Sequence, residues 1–96
     1  MYSIKSKEAF KKHAGRCAFC EESDYAVLDV HRIIEGRIGG EYHSINSVVT
    51  CANCHRKIHD GQIVIVKKHI SFGENPYVLE YYLKDEISVR YLPMKY

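Results

Sequence analysis

Cys54 and His55 are neighbours, and each belongs to a pair. Cys17-Ala-Phe-Cys20 and Cys51-Ala-Asn-Cys54 are matched Cys-x-x-Cys pairs, and His55-Arg-Lys-Ile-His59 sets two histidines four residues apart. Each Cys-x-x-Cys presents two sulfurs within a turn of backbone, and four thiolates match the tetrahedral preference of zinc. A site filled by Cys17, Cys20, Cys51 and Cys54 leaves no position for substrate, so it is expected to be structural. Such a zinc contributes on the order of 10 kcal/mol or more to folding. Redox Cys-x-x-Cys chemistry or paired disulfides would not account for two matched pairs in this setting. Histidines at i and i+4 share one helix face and can reach one cation. The adjacency therefore places a closed centre and an open one at a single helix start, with His31 upstream and Asn46 between as further candidates.

These residues need elements to position them. Ser6 to His13 reads as a short amphipathic helix with Ser6 as its N-cap and Gly15 as its end. The first cysteine pair forms a tight knuckle. Tyr25 to Ile34 is rich in β-formers and predicts a strand. Residues 35–41, with Gly36, Gly39 and Gly40, predict a loop. Asn46 to Thr50 predicts a second strand running into the second knuckle, and Cys54 to about His59 a helix that closes near Gly61. Beyond it, residues 62–72, 77–83 and 87–92 predict a three-stranded meander. The expected fold class is α+β in a single domain: a basic helical arm over 1–14, a metal-braced core over 15–61 and antiparallel strands over 62–96.

Leu28-Asp-Val-His-Arg-Ile33, then Gly39-Gly40, then Asn46-Ser-Val-Val-Thr-Cys-Ala-Asn-Cys-His-Arg-Lys-Ile-His59 resembles the HNH endonuclease family, in the branch whose ββα-metal motif is braced by a four-cysteine zinc ribbon. The likeness covers roughly residues 15–61. It implies a metal-dependent DNA endonuclease that leaves 5′-phosphate and 3′-hydroxyl ends, by nicking or by double-strand cleavage. It implies that His31, His55 and His59 bind a catalytic divalent ion (Mg²⁺, Mn²⁺, Ni²⁺ or Zn²⁺), with Asp29 as a further candidate ligand. By the same likeness Asn46 braces the loop through side-chain to backbone hydrogen bonds, and Arg32 takes the position of the general base.

Arg32 departs from the family pattern, since arginine stays protonated and cannot abstract a proton from water. Four alternatives follow. His31 acts as base while Asp29 helps to hold the cation; His43 folds back to serve; no side-chain base is needed; or the protein binds DNA without cutting it. Arg32 could instead clamp the scissile phosphate through two bonds. The competing functional class is a non-catalytic zinc-ribbon module that binds nucleic acid or protein.

Composition sets the partners. The chain has 96 residues with 14 Lys and Arg against 12 Asp and Glu. Residues 1–20 hold five basic side chains against Glu8 alone, whereas residues 21–60 hold seven acids against four bases. A basic arm beside a histidine-rich, acidic middle suits a polyanion-binding protein that also holds cations. Arg37, Arg56, Lys57, Lys11, Lys12 and Arg32 are the expected DNA contacts, together with Arg16. No apolar run is long enough for a membrane span, and the amino terminus lacks a secretory pattern, so a reducing, cytoplasmic setting is expected. A monomer would cut one strand and a homodimer both. Tyr77, Tyr81, Tyr82 and Tyr91 are expected to serve core or interface in the meander.

Overall fold

The computed structural model describes residues 7–96; Ser6, the expected N-cap, and Lys5 of the basic arm lie outside the described residues. Helix α1, Lys7–Ala14, buries Phe10 and ends where Gly15 takes φ +70° and donates its N–H to the Lys11 carbonyl at 2.9 Å. That left-handed turn favours glycine because it lacks a Cβ.

Strands β1, Leu28–Arg32, and β2, Ser47–Cys51, pair antiparallel, with Val30 opposite Val49 and His31 opposite Val48. Side chains alternate across a strand. Leu28 and Val30 therefore face the core that holds Phe10, while Asp29 and His31 share the other face. The strand is shorter at both ends than the expected 25–34. Tyr25–Val27 forms a 3-10 turn because Asp24 Oδ1 accepts from the Ala26 N–H at 3.0 Å, a local bond that competes with extended pairing. At the other end, the Ile33 and Ile34 N–H groups donate to Asn46 instead of to a strand.

The loop between β1 and β2 is tightly folded. A Cβ at Gly40 would lie 1.7 Å from the Ile34 carbonyl oxygen, so only glycine fits, and its N–H donates to the Glu35 carbonyl at 2.9 Å. At Gly36 a Cβ would run into the Arg32 guanidinium.

Helix α2, Ala52–His59, starts two residues before the expected position because Cys51 caps it: its sulfur accepts from the Cys54 N–H at 3.4 Å. The helix closes as Gly61, at φ +82°, donates to the Ile58 carbonyl and Gln62 donates to that of Lys57. Strands β3, Ile63–Ile70, β4, Tyr77–Leu83, and β5, Arg90–Met94, form a separate antiparallel sheet in that order, with a bulge between Ile65 and Lys67. The last strand lies later than the expected 87–92. It accommodates Pro93 because an edge strand can spare one N–H.

The result is an α+β fold with two helices and two antiparallel sheets among the described residues. Its core runs from Phe10 through Leu28, Val30 and Val49 to Cys17, Cys51, Cys54 and Ile63. The meander joins it through Phe19, whose ring meets that of Tyr81 edge-on at 5.1 Å, and through Lys68. Lys68 is 2% exposed and donates to the carbonyls of Ser44, of Ser47 at 2.8 Å and of Tyr96 at 2.7 Å, with its ammonium over the Tyr77 ring. Burial draws its pKa down to about 7.

Candidate metal centres

Two clusters of ligand-type side chains meet at the start of α2. The sulfurs of Cys17, Cys20, Cys51 and Cys54 all lie within 4.8 Å of one another, and those of Cys20 and Cys51 are 3.6 Å apart. A disulfide would need about 2.05 Å, and all four cysteines are free. Tetrahedral zinc–thiolate bonds of about 2.3 Å would put sulfurs about 3.8 Å apart. The cluster fits that donor set. Backbone N–H groups of Phe19 and Cys54 donate to the sulfurs of Cys17 and Cys51, each at 3.4 Å, as they would to thiolates. Burial, and then the neighbouring thiols, push the Cys54 thiol up, whereas at Cys51 burial is outweighed by the Cys54 N–H and the neighbouring thiols, which draw it down. A cation would therefore be needed to ionise Cys54 with the others. This four-cysteine cluster could hold a structural metal ion.

One residue on, His55 faces the second cluster. Ring nitrogens of His31, His55 and His59 lie within 4.8 Å of one another, and the Nε2 atoms of His55 and His59 are 3.1 Å apart. The ring centroids stand 5.3 Å apart for His31 and His55, 5.4 Å for His31 and His59, and 4.7 Å for His55 and His59. The arrangement follows from the elements: β1 carries His31 on its non-core face, and the i, i+4 spacing on α2 brings the other two to it. His31 is half-buried, and desolvation, followed by the charges of His55 and His59, lowers its pKa to about 4. Its imidazole is therefore neutral at pH 7, the form in which histidine binds a metal.

Asp29, a candidate ligand by sequence, stands outside this trio. Its carboxylate lies 3.3 Å from His55 Nδ1, behind the ring. That contact fixes a proton on Nδ1 and turns the Nε2 lone pair towards His59. Asn46 is buried and ties the loop at several points. Its side-chain amide donates to the Ile34 carbonyl at 3.1 Å and the Glu41 carbonyl at 2.9 Å, while Oδ1 accepts from the Ile34 N–H at 2.7 Å.

Other expected site residues fall elsewhere. Arg32 lies on the strand face opposite His31, its guanidinium 4.4 Å from the Tyr42 ring centroid. His43 Nε2 meets the Glu41 carboxylate at 2.6 Å and is not among the three clustered histidines. Arg37 is tied to Glu35. Arg56 and Lys57 are exposed on α2, and Lys12 and Arg16 are exposed at α1 and the first knuckle. Lys11 sits 4.1 Å over the Tyr25 ring.

Glu35 is not among the residues that the motifs single out. Its carboxylate is exposed, yet its charge raises the His31 pKa while His31 and His59 in turn act on it; the Arg37 hydrogen bond, the largest cause, keeps it below the usual carboxylate range. Its position as the first residue of the glycine loop, three residues past the end of β1, was the available signal. No family model, no curated protein and no solved structure matches the chain. Among the described residues no helix is long and apolar enough to cross a membrane.

Proposed function

We propose that this chain is a small metal-dependent DNA endonuclease of the HNH type, with β1, β2 and α2 as its ββα-metal unit. The observation that carries the reading is the trio of imidazole nitrogens on β1 and α2, within 4.8 Å of one another and one residue from the four-thiol cluster. A purely structural zinc ribbon has no use for three convergent histidines beside its knuckle.

In this reading His31, His55 and His59 hold one divalent ion, and three imidazoles suit Zn²⁺ or Ni²⁺ better than Mg²⁺, which prefers oxygen. When bound, the ion supplies positive charge against the scissile phosphate and its leaving 3′ oxygen. The chain's own residues do the rest. Asp29 holds the His55 ring by its Nδ1 proton, and Asn46 keeps the end of β1 and the glycine loop in register. Arg32 remains protonated on Tyr42 and takes no proton from water. Glu35 acts on His31 and His59 through its charge, but Arg37 holds it below the usual carboxylate range, which makes it a weak proton acceptor, so the proton of the attacking water passes to solvent without a side-chain base.

Supercoiled plasmid incubated with the protein and Mn²⁺, Ni²⁺, Zn²⁺ or Mg²⁺ tests this directly. Relaxed or linear DNA is expected with at least one of the first three ions, abolished by chelation. His55→Ala should cut at least about 100-fold more slowly, as befits loss of a metal ligand. If no ion supports cleavage while the protein still shifts DNA in a gel, the enzyme reading fails. The non-catalytic zinc-ribbon module, favoured by the engagement of Arg32 and His43 elsewhere, then stands.

A further inference from the structure

Ion pairs among the described residues leave several cations untouched. Arg37 is paired with Glu35 and Arg90 with Glu86, whereas three cations of α1 and β1 rest on aromatic rings instead. Lys11 Nζ lies 4.1 Å from the Tyr25 ring centroid, Arg32 Cζ 4.4 Å from that of Tyr42, and Lys7 Nζ 5.9 Å from the same ring. A ring holds a cation by its quadrupole without cancelling its charge. A carboxylate partner would have neutralised it.

Lys7 and Lys11 adjoin His55 of the trio, and Arg32 is linked to Lys7 through the Tyr42 ring that both cations share. A hollow of about 300 Å³ is lined by Lys7, Glu8, Lys11, Asp29 and His55, with Leu28 and Val30 of β1. Consecutive residues from both faces of β1 line it, so it opens along the edge of that strand not paired to β2. The acids that line it are Glu8, which is exposed, and Asp29, which is engaged by His55, so an anion is held by the lysines and not by the hollow as a whole. Arg32 shares the Tyr42 ring with Lys7, on the strand face opposite His31.

We propose that Lys7, Lys11 and Arg32, pre-positioned on Tyr42 and Tyr25, form a track for DNA backbone phosphates. The track leads from the histidine trio around the free edge of β1 onto α1. It rests on the DNA-binding half of the proposed function and not on cleavage, and it assigns recognition to α1 and away from the carboxy-terminal sheet. Phosphate contacts fix position without reading bases, so the track binds DNA of any sequence.

The test is fluorescence anisotropy with a short labelled duplex across a salt series. No divalent ion is added, so cleavage does not enter. Each phosphate that a variant fails to neutralise reduces the slope of log affinity against log salt by about 0.9. The Lys7→Gln, Lys11→Gln double variant is expected to lower the slope by about two units by that rule, while Lys67→Gln, Lys84→Gln on the meander leaves the slope intact. Tyr25→Leu should weaken binding several-fold and Tyr25→Phe should retain it, because phenylalanine keeps the ring face that holds Lys11. An unchanged slope in the α1 double variant, or an equal reduction from the meander pair, overturns the track. So does an absence of DNA binding by the wild type, which also removes the DNA half of the proposed function. A reduced slope in the α1 variant of a protein that never cuts plasmid supports the track and overturns the enzyme reading alone.

Discussion

Asp29 and Glu35 bracket His31 along the chain, and the two carboxylates meet the histidine trio in different ways. Asp29 bonds the far side of the His55 ring at 3.3 Å, so it orients a ligand. Glu35 reaches His31 and His59 only through its field, from an exposed position. A carboxylate that orients a metal-binding histidine contributes about 10- to 100-fold in metal affinity. General-base help contributes about 10²- to 10⁴-fold in rate. Asp29→Asn is therefore expected to weaken binding of Ni²⁺ or Co²⁺ to the trio by that first factor, read by titration of the metal's visible spectrum. Glu35→Gln removes a negative charge that acts on His31 and His59, so it should weaken that titration by less than Asp29→Asn does and slow plasmid nicking by less than the second factor. A Glu35→Gln protein slowed by the full second factor would make Glu35 the proton acceptor, and unaltered metal affinity in Asp29→Asn would reduce its contact with His55 to packing.

Among the elements, the meander is joined to the metal-bearing half by an unusual fastening. Lys68 in β3 passes its ammonium to carbonyl oxygens of Ser44 and Ser47, which flank Asn46, and to that of Tyr96 beyond β5. Hydrogen bonds from a charged donor are worth about 1.5–3 kcal/mol each, and stranded carbonyls are costly. Lys68→Met keeps the stem and strips the ammonium from all three acceptors, of which the Ser44 carbonyl retains the Ser47 N–H. It is expected to lower unfolding free energy in urea by roughly 3 kcal/mol, and to speed amide exchange at Ile33 and Ile34, whose bonds depend on Asn46 next to the fastening. Stability unchanged within about 0.5 kcal/mol would show that water replaces the ammonium freely. None of this was legible in the sequence, where Lys67-Lys68 reads as solvated charge, because period-2 patterning gives a residue's face but not what lies opposite it. The same limit hid the side-chain bond of Asp24 that converts residues 25–27 into a turn. By contrast, the knuckles, α2 and the loop glycines were legible, since Cys-x-x-Cys, i, i+4 histidines and adjacent glycines each carry a geometric requirement within a few residues. The side of β1 taken by Arg32 follows from alternation alone. Its partner Tyr42, ten residues on, does not.

At the scale of the molecule, the four thiols are the place where a metal ion would add most to stability. Ten hydrophobic side chains are buried among the described residues, and Cys17, Cys51 and Cys54 are three of them. The remaining apolar core is small for a 96-residue chain with a radius of gyration of 12.7 Å. Domains of this size commonly add a structural metal, and a structural zinc is worth about 10–16 kcal/mol in small folds at pH 7. That exceeds the usual total stability of about 5–15 kcal/mol, so the metal-free chain should not stay folded. The histidine trio lies beside the core and not inside it, with His59 exposed, so its ion should be dispensable for folding. The two centres are then separable by chelation. Mild chelator should strip the ion from the trio with no change in far-UV circular dichroism, whereas removal of the last zinc equivalent should abolish the cooperative urea transition. A His31→Ala, His55→Ala, His59→Ala protein should retain one zinc per chain and its fold, and Cys17→Ala should retain neither. A metal-free chain that still unfolds cooperatively would mean that the thiols serve as ordinary core residues, and the structural role assigned to the closed centre would fall while the open one at His55 remained to be tested on its own.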